Sequence, residues 1–174
     1  MAIRRRKIQG MIDAILTDNG ITEAPVQVSQ IAKAKGARIF ADSLEGELSG
    51  FTYRDKSRAV IGVNTRHARV RQNFTMAHEL GHFLLHDQEP LHVDRDFRVR
   101  LRDDLASQGT DEAEQEANFF AASLLMPKSF LEADLANEEY VDLDGVFLRE
   151  LARKYGVSTQ ALMNRLKNLG YIKE

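Results

Sequence analysis

The chain has 174 residues and a formal net charge of -2. That length is sufficient for one domain with a substantial apolar core, and the balanced charge disfavours both a disordered chain and a protein that coats a polyanion. The absence of cysteine excludes disulfides, thiolate metal sites and a cysteine nucleophile. No apolar run follows the basic start "MAIRRRK", and no stretch approaches the roughly 20 apolar residues of a membrane span. We therefore expect a cytoplasmic protein.

The first third of the chain is predicted to contain two helices followed by strands. Residues 5–16 and 28–35 have apolar side chains at helical intervals. Asn19-Gly20 ends the first helix and Gly36 ends the second. The sequence then becomes strand-like. After "ARIF", residues 48–53 and 59–63 flank the polar turn "RDKS", which indicates a β-hairpin.

The remainder of the chain is predicted to be mostly helical. A long helix covers residues 66–86, and the alternation of apolar and charged residues predicts a strand over residues 91–101. Further helices are predicted over residues 111–126, 128–135, 146–155 and 158–169.

The long helix carries the sequence "FTMAHELGHFLLHD", in which His78 and His82 are four residues apart. Positions i and i+4 lie one turn apart on the same face of an α-helix, so both imidazoles could bind one ion. Glu79 lies one position further round, where it could reach water beside the metal instead of the metal itself. This spacing is typical of zinc metallopeptidases. A surface helix that carries a pair of histidines is the alternative.

A catalytic zinc needs a third protein ligand, and the helix predicted over residues 111–126 offers Glu112, Glu114 and Glu116. At about 100° per residue, Glu114 borders the apolar stripe of this helix, Glu116 lies farther round and Glu112 faces away. Glu114 also shares its side of the helix with Asn118. Glu114 is therefore the predicted third ligand, and a capping box with Asp111 is the alternative. The apolar stripe consists of Ala113, Ala117, Phe120, Ala121 and Leu124.

Other residues near the motif have weaker assignments. Gly81 lies between the two histidines, and because glycine costs a helix about 1 kcal/mol, we expect another element to pack closely there. His86 is predicted to cap the end of the helix. His67 and His92 are predicted to be solvated surface residues, with donors to the transition state as the alternative.

Together, "FTMAHELGHFLLH" and "EQEANFFAASLLMP" closely resemble the ImmA/IrrE family of metallo-endopeptidases. The resemblance is strong over about residues 64–127 and looser over "VSQIAKAKGARIF" and the hairpin. It implies that His78, His82 and Glu114 bind zinc and that Glu79 is the general base. It also implies site-specific cleavage of a helix-turn-helix repressor, which would relieve repression of a phage, mobile-element or stress regulon.

The predicted fold is therefore α+β. A zincin-like metallopeptidase domain would cover residues 1–136, with a small β-sheet packed on the active-site helix, and a helical C-terminal extension would cover residues 137–174. The substrate would lie extended along an exposed strand edge. The candidate edge is "AVIGVN", residues 59–64, with a central strand as the alternative. Tyr53, Arg66 and His67 are candidate oxyanion donors.

The C-terminal segment "LRELARKYGVSTQALMNRLKNLGYI" leaves a second class of function open. It has the outline of a helix-turn-helix, with Gly156 at the turn and Ser158 as the cap of the second helix. A DNA-binding regulator, with or without peptidase activity, is therefore the alternative function. A helical appendage that only packs on the core explains the same pattern, and the near-neutral charge does not favour nucleic acid as a partner. The second helix would present Gln160, Asn164, Arg165 and Lys167.

Overall fold

The computed structural model describes residues 3–46, 48–86, 90–95, 108–136 and 145–172. Within these ranges the chain forms seven helices and four strands, which confirms the α+β class. The helices are α1 (Arg5–Asp18), α2 (Val28–Ala34), α3 (Arg69–Leu85), α4 (Gln108–Leu125), α5 (Lys128–Leu135), α6 (Val146–Tyr155) and α7 (Thr159–Asn168). The strands are β1 (Arg38–Asp42), β2 (Leu48–Arg54), β3 (Ala59–Asn64) and β4 (Leu91–Arg95).

The strands form one mixed sheet in the order β1-β3-β2-β4. β1 is parallel to β3, whereas β2 is antiparallel to both β3 and β4. The predicted hairpin is confirmed as the β2–β3 pair, and its turn is closed by Asp55, whose carboxylate accepts a hydrogen bond from the N–H of Ser57 at 2.7 Å. The edge position considered for residues 59–64 is wrong, because the parallel strand β1 covers the other side of β3. Within the described sheet, β1 and β4 are the edges.

Two glycines allow α3 to pack closely on its neighbours. A Cβ at Gly50 of β2 would lie only 2.5 Å from Thr75 Cγ2 on α3. A Cβ at Gly81 of α3 would lie 3.1 Å from Phe120 Cδ1 and 3.2 Å from Ala117 Cα on α4. The close packing expected at Gly81 is therefore confirmed. The helix with the histidine motif is held between the sheet and α4.

A hydrophobic cluster extends from α1 through α3 and α4 to the last two helices. Burial of each large apolar side chain contributes about 1.5–3 kcal/mol, so α6 and α7 are held against the same core as the sheet and α3. The predicted domain boundary at residue 136 adjoins residues 137–144, which lie outside the described ranges, and the division into two domains stays a prediction. The residues of α6 and α7 in the cluster are Leu148, Leu151, Ala152, Tyr155, Leu162 and Leu166.

The signals at Gly156 and Ser158 mark helix ends as predicted, whereas α3 begins three residues later and α4 three residues earlier than predicted. Ser158 caps α7, because its hydroxyl accepts a hydrogen bond from the N–H of Ala161 at 3.1 Å. Gly156 ends α6 with a φ of +64°, a conformation that glycine adopts without strain. The strand predicted over residues 91–101 begins where expected, and residues 96–101 lie outside the described ranges. In the described part of the chain, no helix combines the length and apolar character needed to cross a membrane.

We expect Gly50→Ala to lower the free energy of unfolding by about 1–3 kcal/mol, as overpacking does in other cores. The added methyl group would overlap Thr75 Cγ2 at 2.5 Å and the carbonyl oxygen of Gly62 at 2.7 Å. Gly10→Ala is the control, because no atom lies within 4 Å of a Cβ at that helical position, and it should stabilise α1 by up to about 1 kcal/mol. Urea unfolding in the presence of a chelator measures both changes. Unchanged stability of Gly50→Ala would contradict the close packing of α3 on β2.

Candidate metal centre

Three predicted ligands converge where α3 meets α4. The Nε2 atoms of His78 and His82 are 3.1 Å apart. Glu114 of α4 reaches both rings, with its Oε2 3.5 Å from Nε2 of His78 and its Oε1 3.4 Å from Nε2 of His82. The structure thus brings together, from two helices, the two imidazoles and the carboxylate that the sequence singled out.

The spacing of these donor atoms fits a tetrahedral metal ion. Zinc binds imidazole nitrogen and carboxylate oxygen at about 2.0–2.2 Å, so two ligands of one tetrahedron lie about 3.3–3.6 Å apart. The three separations between His78, His82 and Glu114 are 3.1, 3.5 and 3.4 Å. A further sign is the buried Oε1 of Glu79, which has no hydrogen-bond partner among the described residues. The side chains at this position therefore fit a metal ion with a polar group beside it.

His78 is oriented by a second residue of α4. Its Nδ1 lies 3.0 Å from Oδ1 of Asn118. Because a carbonyl oxygen only accepts, Nδ1 donates this hydrogen bond, and Nε2 is the ring nitrogen that faces Glu114. Contacts of this kind fix the tautomer and ring orientation of metal-binding histidines. One face of α4 thus provides both a carboxylate donor, Glu114, and the group that orients the imidazole opposite it.

The environment of His82 also favours the neutral form of its ring, which is the form that binds a metal. Burial lowers the pKa of His82, and the neighbouring ring of His78 lowers it further. A lowered pKa keeps the His82 ring neutral at neutral pH. Its lone pair is then available to an ion.

Glu79 lies on the side of α3 that faces the sheet. It is fully buried, and its Oε2 accepts a hydrogen bond from the hydroxyl of Thr52 on β2 at 2.7 Å. Burial raises the pKa of Glu79 to about 8, although the charge of His78 and the Thr52 hydrogen bond oppose the shift. A carboxylate with a raised pKa is suited to accept and return a proton near neutral pH.

Glu116 is engaged away from the three converging side chains. It accepts hydrogen bonds from the guanidinium of Arg4 at 2.9 Å to Oε1 and 2.5 Å to Oε2. These bonds hold the pKa of Glu116 down to about 2. His86 is the C-cap residue of α3, as predicted, and its Nε2 lies 3.8 Å from Glu116. Asp111, the alternative partner of Glu114, is outside the residues whose side chains the structure describes.

Strand β4 adds His92, which the sequence did not place at the site. Its ring stacks on that of His82 with centroids 3.6 Å apart, and its Nε2 lies 3.4 Å from Oε1 of Glu114. The predicted surface position of His92 is wrong, because β4 pairs with β2 and sets His92 opposite Thr52, next to α3. Asp94, two residues further on and so on the same face of the strand, forms a group with His78 and Glu79.

The proposed oxyanion donors are not part of these groups. The hydroxyl of Tyr53 donates to Asp55 at 3.1 Å in the hairpin turn, and alternation along β2 places Tyr53 on the face opposite Thr52. The guanidinium of Arg66 donates to the hydroxyl of Ser43 at 2.6 Å. His67 belongs to neither of the two described groups of metal-binding side chains.

An open cavity of about 1100 Å³ adjoins the three converging side chains. His78 and Glu114 form part of its wall, which continues along α4 through Asn118 and Phe119 and reaches Asn164 on α7. The site therefore opens onto a space large enough for a peptide segment.

Comparisons with known proteins identify a family for the sequence and a similar fold. The sequence model of the peptidase M78 family, described as the IrrE N-terminal-like domain, matches residues 32–167. The fold is similar to a Mycobacterium tuberculosis transcriptional regulator, with a TM-score of 0.64 and 17% identity. That similarity covers 92% of this chain and 46% of the regulator, so the chain spans about half the length of that protein. No curated protein sequence matches the chain.

We expect Glu114→Gln to lose bound metal and Glu116→Gln to retain about one ion per chain. The first change removes a converging donor, whereas the second affects the contact with Arg4 and should only lower stability. Elemental analysis after gel filtration measures the metal, and thermal unfolding measures the stability. The reverse order of metal loss would overturn the assignment of Glu114.

Proposed function

Because the chain belongs to the peptidase M78 (IrrE N-terminal-like) family, a metallopeptidase family with a zincin-like fold, we propose that it is a zinc-dependent endopeptidase. The observation that carries the proposal is the convergence of His78, His82 and Glu114 at separations that fit one tetrahedral ion. Glu79 lies beside them as a buried carboxylate. The family, the three donor side chains and the adjacent Glu79 all support hydrolysis of a peptide bond.

Each group at the site has a distinct role in this proposal. A zinc ion supplies Lewis-acid chemistry, lowering the pKa of water toward about 7 and polarising the scissile carbonyl. His78, His82 and Glu114 bind the ion, and Asn118 orients His78. Glu79 accepts the proton of the attacking water and returns it to the leaving amine.

Thr52 positions the general base. Its hydroxyl lies 2.7 Å from Oε2 of Glu79, and the donated hydrogen bond directs that oxygen toward the sheet. The other oxygen, Oε1, is the one without a described partner. Glu79 therefore has one oxygen anchored and one available to water.

The substrate we propose is a cytoplasmic helix-turn-helix repressor, cut at one main bond. An extended peptide binds most simply by adding to a strand edge, and β4 is the described edge that carries side chains at the metal centre. Such binding requires the target segment to leave its native fold, which favours linkers and mobile helix ends. A repressor that joins a DNA-reading domain to a dimerisation segment presents such a linker.

DNA binding by α6 and α7 has less support. Arg165, one of the expected DNA contacts, is only 4% exposed, and its Nε donates to the carbonyl oxygen of Met126 at 3.1 Å. The carbonyl oxygen of Gly156 in the turn accepts a hydrogen bond from Asn73 of α3 at 3.0 Å. Through these contacts α6 and α7 pack on the rest of the fold, which leaves Arg165 and the turn less available to DNA.

We expect Glu79→Gln to keep one zinc per chain while cleavage falls by about 10²–10⁴-fold, the usual contribution of general acid–base catalysis. The amide cannot accept a proton from water, but it leaves all three metal ligands in place. Glu23→Gln, a matched change at an exposed glutamate, is the control and should cleave normally. Substantial cleavage by Glu79→Gln with zinc bound would remove Glu79 from the mechanism.

Limited cleavage of a cognate repressor is the second expectation. Zinc-loaded protein is incubated with the helix-turn-helix repressor encoded by a neighbouring reading frame and, separately, with unfolded casein. Mass spectrometry of the fragments should show one main cut in the repressor and little digestion of casein. Broad casein digestion with an intact repressor would contradict the regulatory substrate and leave the peptidase assignment standing.

A further inference from the structure

His92 brings a fourth donor atom to the candidate metal centre. One ring nitrogen of His92 and the donor atoms of His78, His82 and Glu114 all lie within 4.8 Å of one another. The 3.4 Å from His92 Nε2 to Glu114 Oε1 equals the separation of His82 Nε2 from the same oxygen. His92 is therefore spaced from Glu114 as the predicted ligand His82 is. Its ring stacks on that of His82 with centroids 3.6 Å apart, so one of the two rings has to turn for both to bind one ion.

We propose that His92 is a fourth metal ligand in the resting protein and that strand β4 thereby keeps the peptidase latent. A catalytic zinc site has three protein ligands and one open position, whereas a site with four protein ligands is closed. With His92 in the fourth position, the ion has no place for water or for the scissile carbonyl. This inference rests on the proposed metal centre and adds a means of regulating it.

The position of β4 in the sheet would allow His92 to move away from the metal ion. β4 pairs with β2 on one side only among the described strands, and the pairing has an irregularity between Leu48 and Gly50. The His92 side chain is 15% exposed, compared with 6% for His78 and 4% for His82. A metal ligand must keep its distance to within about 0.2 Å, so a small displacement of β4 would release the ion from His92.

The proposed substrate mode supplies a cause for that displacement. A peptide that adds to the side of β4 with no partner among the described strands would form hydrogen bonds with the backbone of the strand that carries His92. Substrate pairing and release of the fourth ligand are then coupled, because both act on the same strand. Zinc in the resting protein would be bound but unreactive until a segment with the right shape pairs with β4.

A different role for His92 makes a different prediction. If His92 is only the ion-pair partner of Glu114, its Nε2 carries a proton toward that carboxylate and does not bind the ion. The chain contains no cysteine, so a thiol introduced at position 92 would be the one thiolate available to a metal. Replacing zinc with cobalt makes this visible, because a thiolate bound to Co²⁺ gives a charge-transfer band in the near ultraviolet.

We expect Co²⁺-loaded His92→Cys to show this charge-transfer band with one cobalt per chain. Val93→Cys is the matched control, because its neighbouring position on β4 faces the opposite side of the sheet and should give no band. One cobalt per chain without a band in His92→Cys would overturn the fourth ligand while leaving the metal centre intact. If the parent protein fails to bind cobalt at all, the proposed function fails instead.

A second variant tests the open position without adding a ligand. In Co²⁺-loaded His92→Ala, azide should bind the vacated position and change the visible spectrum, whereas the parent protein should not respond at the same azide concentration. Chelator competition should show that His92→Ala binds cobalt at least about 10–100-fold more weakly, the range that even outer contacts of metal ligands cost. Equal azide responses and equal affinities in the two proteins would overturn the proposal independently of the cysteine variant.

Discussion

The close contact between α3 and α4 determines whether a metal site can exist in this protein. Glu114 can reach the imidazoles of α3 only if the two helices approach at short range, and Gly81 provides this by leaving room for Ala117. A side chain at Gly81 would force the helices apart by a few tenths of an ångström, a large change for a site whose ligand distances tolerate about 0.2 Å. The helix-breaking cost of a glycine at this position is thus offset by the geometry it permits.

A second close contact aligns Glu79 with the three side chains of the candidate metal centre. Gly50 lets α3 pack against β2, which brings the Thr52 hydroxyl to the carboxylate of Glu79. Because β2 also pairs with β4, the same strand that holds Glu79 in place sets the position of His92. The ligands therefore depend on helix packing, and the access to them depends on strand pairing.

Features that follow from local spacing were predictable from the sequence. His78 and His82 share a helix face by the geometry of the helix, and the angle between Glu114 and the apolar stripe separated it from Glu116 without knowledge of the fold. Glu116 proved to be engaged by Arg4, a contact across 112 residues of sequence that no local pattern reveals. Local periodicity thus indicated which face each side chain occupies, but not which distant residue it meets.

Features that depend on strand order were not predictable. The edge interpretation of residues 59–64 failed because a parallel partner, β1, is separated from β3 along the chain by β2. His92 was missed for the same reason, since its place beside Glu114 follows from the pairing of β4 with β2. Arg165 was misjudged because a guanidinium can be buried once a backbone carbonyl accepts a hydrogen bond from it, and that carbonyl belongs to Met126, far away in the sequence.

The burial of the candidate metal centre would limit what the proposed peptidase can cut. Taken as whole residues, His78, His82 and Glu79 are each no more than 4% exposed, so the surface of a folded domain cannot reach them. A scissile bond arrives only in a segment that has given up its own secondary structure, and the free energy of that local unfolding is added to the cost of binding. Selectivity then comes from the low local stability of the target segment as well as from its side chains. If His92 closes the metal centre as proposed, that threshold is raised further, because only a segment that pairs with β4 would gain access to the ion.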